Sequence, residues 1–128
     1  MAERNLQKLL AAADPELRPG VYVFVTTPEP LTLSAKDLIM QFREAEGWTL
    51  ILPQAVADAH GLAYEYTAAW ITMRVHSALD AVGFTAAFAG ALGENGISCN
   101  VVAGYHHDHL FVASADGQRA VEVLRGLG

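Results

Sequence analysis

The sequence predicts an α+β fold: two ferredoxin-like (βαββαβ) halves that share strands, with antiparallel sheets and helices on one face. Three observations lead there. From Tyr64 onward the chain reads β-α-β-β-α, a ferredoxin-like unit short of its final strand. The residues before it read α-β-(β or α)-β-α and can supply strands. No Gly/Ser-rich or Pro-rich linker separates the two stretches. A unit without an edge strand exposes unpaired backbone groups, so the halves, 1–63 and 64–128, are expected to complete each other and fold as one cooperative body.

The first half begins with Leu6, Leu9, Leu10 and Ala13 at helical spacing, stopped by Asp14-Pro15. After the Pro19-Gly20 turn, Val21-Tyr22-Val23-Phe24-Val25 is a β-branched and aromatic run, a strand buried on both faces. Thr27-Pro28-Glu29-Pro30 is a rigid loop. Ser34 followed by Asp37 is a capping pattern for a helix carrying Leu38, Phe42 and Ala45. The same residues also suit a strand, Ile39–Glu44, that turns at Glu46-Gly47 into Trp48–Leu52; periodicity alone does not separate the two. Pro53 opens a short helix that ends before Gly61.

In the second half, Tyr64–Val75 alternates. Ile71, Met73 and Val75 share one face, and Trp70, Thr72 and Arg74 share the other. The helix after it places Phe84, Phe88 and Leu92 on one stripe, with Ala87 and Ala91 allowing close approach to a sheet. Asn95-Gly96 is a C-terminal stop. Ile97–Ala103 and His109–Ala113 are strands. Ser114 is expected to cap a last helix that turns Ala120, Val121, Leu124 and Leu127 inward.

Composition narrows the function classes. The formal net charge is −6 with no Lys/Arg cluster; an acidic surface repels phosphate backbones, so no nucleic-acid partner is expected. Cys99 is the only cysteine, which rules out an internal disulfide. The first residues lack the apolar core of a signal peptide. No apolar run approaches the roughly 20 residues of a membrane helix. The expectation is a cytoplasmic protein with no membrane partner.

The loop from Ser77 to Thr85 joins a strand to a helix start, where first-turn amides lack intrahelical partners and carry positive partial charge. They suit a ligand carboxylate. Gly83 permits close approach to the backbone, Asp80 can balance a ligand ammonium, and Ser77 or Thr85 can add a hydroxyl bond. Ser77, Asp80, Val82, Gly83, Phe84 and Thr85 are the candidate ligand contacts in this loop. The plainer account is that Gly83 only permits a tight strand-helix join and Asp80 only favours the helix start.

Over Trp70–Gly126 the chain resembles the ACT family of small-molecule sensing domains. The resemblance rests on HSALDAVGFTAAFAGAL and GISCNVVAGYHHDHLFV. The whole is similar to small bacterial proteins with two such units, arranged like the regulatory region of aspartokinases and the cytosolic arginine sensor. The FREAEGWTLILP stretch resembles the N-terminal part of those proteins more loosely and implies a β-hairpin over Phe42–Leu52, against the capping pattern at Ser34. The resemblance also implies an amino-acid-like ligand held between the Ser77–Thr85 loop and a strand of an adjacent unit. That adds backbone contacts near Asn100, Val101 and Val102, with His106 and Asp108 at the rim. A homodimer and an unknown output partner follow from the same likeness.

Other residues invite sharper chemistry. His106, His107, Asp108 and His109 are the densest run of metal-ligand types, yet a catalytic zinc site needs about three protein ligands and an open position. A solvated β-turn is the plainer reading, so no metal is assigned. Cys99 as a nucleophile needs a base and a lowered pKa; a small buried hydrophobe is the simpler role. Glu44, Glu46 and Glu65 form no pair. Tyr64, Tyr66 and Trp70 alternate on one strand face and are assigned to packing, because the basic-aromatic wording of an RNA-recognition sheet is missing. Gly83, Gly90, Gly93 and Gly96 fit no phosphate-binding fingerprint. The leading expectation is a regulatory or sensor protein without a catalytic domain, without catalytic residues and without a cofactor. The alternatives are a ligand-free interaction or assembly module of the same fold, and a small metal- or thiol-dependent enzyme using His106–His109 or Cys99.

Overall fold

The computed structural model describes residues 2–127. The chain divides into two units. One is continuous, Gly20–Ala68; the other joins residues 2–19 to residues 69–127. The elements are mixed α and β, joined mainly by antiparallel strand pairs.

In the continuous unit, β2 (Tyr22–Thr27) pairs antiparallel with β4 (Gly47–Pro53), matching Val23 to Leu52 and Val25 to Leu50. β4 pairs in turn with β3 (Met40–Glu44). The other side of β2 takes the first residues of β5 (Thr67–Met73), Thr67 and Ala68. Val23, Val25, Leu50 and Leu52 meet Ala57 of α2 (Gln54–Ala59) in a small core.

The choice left open for residues 34–46 falls on the strand. The Ser34 side chain caps no backbone amide; its hydroxyl donates instead to the Asp37 carboxylate at 3.3 Å. The pattern closes only a single 3-10 turn, Ala35–Asp37. The Ile39 amide then donates to the Ile51 carbonyl and starts the sheet ladder. Phe42 is 60% exposed on the resulting hairpin, while Leu38 packs against the small core. Gly47 is required after the turn: its φ is +145°, and a Cβ there would lie 2.7 Å from the Thr27 carbonyl oxygen.

The discontinuous unit begins with α1 (Leu6–Ala11), capped by the Asn5 side chain, which accepts from the Lys8 amide at 3.1 Å. A short β1 (Pro15–Leu17) pairs antiparallel with β5, Pro15 opposite Met73. β7 (Asp108–Ala113) neighbours β5, and β6 (Asn100–Ala103) lies beyond β7. Alternation on β5 holds as expected. Ala69, Ile71 and Met73 enter the core with Leu110 and Val112 of β7. Trp70 instead stacks on Phe111 with ring centroids 6.0 Å apart. Tyr64 and Tyr66 precede the strand, so of the three expected aromatics only Trp70 lies on it.

α3 (Phe84–Glu94) and α4 (Gly117–Arg125) close this core. Phe84, Phe88 and Leu92 are all buried, each contributing about 1.5–3 kcal/mol by removal from water. α3 stops at Asn95-Gly96 as its residues predict. Gly96 takes φ +71°, its amide donates to the Gly93 carbonyl, and the Ile97 amide donates to the Leu92 carbonyl. This is a Schellman stop. It holds Ile97 in the helix end, so β6 starts only at Asn100. Ser114 is not the cap of α4. It opens a 3-10 turn, Ser114–Asp116, and the helix proper starts at Gly117. Gly117 sits close to the sheet, where a Cβ would meet the Ala69 Cβ at 3.0 Å.

Candidate ligand site

The segment between β5 and α3 is held from two sides. On one side the N-terminal residues run beside it in a parallel bridge, Glu3 with Ser77. The Glu3 amide donates to the His76 carbonyl and the Ala78 amide to the Glu3 carbonyl, both at 2.8 Å. On the other side the Ser77 hydroxyl donates to the Asp108 carboxylate at 2.9 Å, and both residues are buried. The segment turns at residues 78–81 through an Ala81 amide to Ala78 carbonyl bond and ends at Gly83, which takes φ +95° as the N-cap of α3. No side chain caps that helix start, so its first-turn amides retain the positive partial charge expected there.

Beside this segment lies a cleft of about 440 Å³, lined by Ala2, Arg4, residues 76–80 and Tyr105. Its charged groups are paired: the Arg4 guanidinium Nε donates to Asp80 Oδ1 at 2.8 Å. Glu3 is spent locally. Its carboxylate accepts from the Asn5 and Arg4 amides, bonds that hold its pKa below the usual carboxylate value. His76 meets His106 edge-on at 5.4 Å, and His106 meets Tyr105 at 5.1 Å.

The expected contacts separate into groups. Ser77 and Asp80 line the cleft. His106 reaches it through His76, and Asp108 lies beneath Ser77. Val82 is 84% exposed and Thr85 is exposed on the first turn of α3. Gly83 faces Leu6: a Cβ added there would come within 3.3 Å of a Leu6 methyl. Phe84 points into the core, edge-on to Phe88 at 5.1 Å. Asn100, Val101 and Val102 lie on β6, paired with Phe111, Leu110 and His109. Arg4 and Tyr105 line the cleft without having been singled out. Arg4 stands 76 residues from Asp80, and no local pattern announces that pairing.

The histidine run does not converge. Among the described residues no group of three or more His, Cys, Asp or Glu is placed to hold a metal ion. His106 turns to His76, while the His109 ring faces β5. There its Nδ1 accepts from the Trp70 indole N–H at 3.1 Å and lies 3.1 Å from the Thr72 hydroxyl. That hydroxyl accepts from Arg18 at 3.2 Å, and the Arg18 guanidinium covers Trp70 at 4.2 Å. Burial, then the neighbouring His107 and Arg18, hold the His109 pKa below its usual value; Asp108 acts against them. Burial pushes the Cys99 thiol up to about 11, the opposite of what a nucleophile needs.

An α+β chain with a strand-loop-helix cleft and a left-handed glycine at the helix start has the make-up of a small-molecule regulatory domain. The chain belongs to the ACT domain family: ACT domain models match residues 1–69 and residues 65–126. ACT domains are regulatory, ligand-binding domains. A crystal structure of a Vibrio cholerae protein of unknown function, described as a possible transport protein, is 46% identical, with 92% of each chain covered and a TM-score of 0.80. An Agrobacterium tumefaciens protein is 18% identical over 89% of this chain and 87% of that one, with a TM-score of 0.67. The ligand-free regulatory subunit of aspartate kinase from Thermus thermophilus shares the fold at 8% identity and a TM-score of 0.67, covering 92% of this chain and 98% of that one. No curated protein matches the chain. No helix among the described residues is long and apolar enough to cross a membrane.

Proposed function

We propose that this chain is an amino-acid sensor of the cytoplasm, working as a homodimer of chains with two ACT-type halves, 1–63 and 64–128, and reporting to a separate output partner. The observation that carries this reading is the cleft beside residues 76–80. It places the Asp80 carboxylate at its mouth, three residues before Gly83, the N-cap of a helix start that no side chain caps. A zwitterion matches that arrangement: its ammonium takes Asp80, and its carboxylate takes the α3 amides past Gly83. Ser77 and Thr85 offer hydroxyls, Val82 and Phe84 fix the backbone on either side of Gly83, and His106 and Asp108 shape the floor and rim. Asn100, Val101 and Val102 sit on β6, at one end of the strand order, where a second copy can bring them to a ligand. The protein acts by binding rather than by catalysis.

A thermal-shift screen against the twenty common amino acids at millimolar concentration tests this. Saturable stabilisation following RT ln(1 + [L]/Kd) is expected for at least one, and light scattering should give twice the chain mass. A second reading, a ligand-free assembly module of the same fold, draws on Leu6 lying against Gly83. It is favoured if none of the twenty shifts the midpoint of the wild-type protein or of an Arg4→Gln variant.

A further inference from the structure

Residues 3 and 4 occupy the Asp80 end of the proposed site. Arg4 puts a cation on Asp80. Leu6, the first residue of α1, packs against the core and puts a methyl within 3.3 Å of the place a Gly83 side chain would take. Two backbone bonds, from Glu3 to His76 and from Ala78 to Glu3, hold residues 3 and 4 along the loop. The side-chain contact made by Arg4 is light. Both side chains of the Arg4–Asp80 pair are more than half exposed, at 64% and 71%, and solvated pairs of that kind contribute little.

Resting on the amino-acid reading above, we infer that residues 3 and 4 form an autoinhibitory strap, a self-ligand that the bound zwitterion displaces. In the strapped state Asp80 is taken by Arg4. A ligand therefore meets only the fraction of molecules whose strap has lifted, and its apparent Kd is raised by the inverse of that fraction. The strap sets the threshold concentration at which the sensor responds. Its release is also the conformational change that binding produces, because ligand and strap cannot hold Asp80 together.

Arg4→Gln removes the ion pair without touching the core. The Kd of the amino acid that stabilises the wild-type protein best should fall about two- to five-fold in this variant, the range an exposed ion pair supplies. Arg4→Lys, which keeps the charge, should stay near the wild-type value. Amide hydrogen exchange supplies a readout that does not depend on substitution: the Ala78 amide, bonded to the Glu3 carbonyl, should exchange faster when that amino acid is added. Unchanged or weaker binding in Arg4→Gln, or slower Ala78 exchange on binding, overturns the strap and leaves the sensor reading standing. If no common amino acid binds wild type but one binds Arg4→Gln, the strap holds as a stronger gate. Should none bind either protein, the sensor reading itself fails, and the strap with it.

Discussion

The hydroxyl of Ser77 donates to the carboxylate of Asp108 across 31 residues of sequence, and both side chains are buried. The bond joins the loop that leads into α3 to the first residue of β7. Ser77→Ala takes that donor from a carboxylate that has little access to water. A loss of about 1–3 kcal/mol is expected, read as a lower urea midpoint at unchanged m-value. An unmoved midpoint would show that the carboxylate finds another donor.

His109 makes stability depend on pH. Its folded pKa lies below the usual 6.5, chiefly through burial. The unfolded chain therefore takes up the proton first. The contribution is fully present above 6.5 and is lost as pH falls from there through the folded value. Protonation would also remove the Nδ1 lone pair that accepts from Trp70. Denaturation between pH 7.5 and 5 should show this decline, and His109→Gln should flatten it. An equal slope in the variant would assign the decline to other groups.

Two left-handed glycines differ in what surrounds them. Gly61 has φ +65° with open space at its Cβ position, while Gly47 has φ +145° and the Thr27 carbonyl 2.7 Å away. Gly61→Ala should cost about 1 kcal/mol, the backbone term alone. Gly47→Ala adds a collision with main chain and should cost more, about 2–3 kcal/mol. Thermal midpoints of the pair settle the ranking.

Cys99 should react slowly. With a thiol pKa of about 11, the thiolate is on the order of one molecule in a thousand at pH 8. Iodoacetamide labelling of the folded protein should lag well behind free cysteine and accelerate only in strongly alkaline buffer. Rapid labelling at pH 7 would revive a thiol-based activity.

What the residues announced in advance were features with a local cause. The Asn95-Gly96 stop, the strand alternation of Ile71 and Met73, and the buried stripe Phe84, Phe88 and Leu92 all follow from spacing within a few residues. That stripe also decides against a ligand role for the Phe84 side chain, because a residue on the core face of α3 cannot reach a cleft beside the preceding loop. β1 was invisible: three residues, Pro15–Leu17, carry no period. The strand over Met40–Glu44 was ambiguous because a capping pattern, Ser34 with Asp37, precedes it, though it closes only one 3-10 turn. Ser77 and Asp80, expected from their place between a strand and a helix, line the cleft. Arg4 was not expected, since ion pairs between distant segments leave no mark on either one.

The discontinuous unit also constrains the order in which the molecule forms on the ribosome. Leu9 and the strand Pro15–Leu17 leave the exit tunnel early, yet their partners lie beyond residue 68. Gly20–Ala68 emerges complete and can collapse first. The leading α1 and β1 must stay unsatisfied until Met73 and the helices behind it arrive. That interval leaves them open to holdase chaperones, and a pause in translation soon after residue 68 would prolong it.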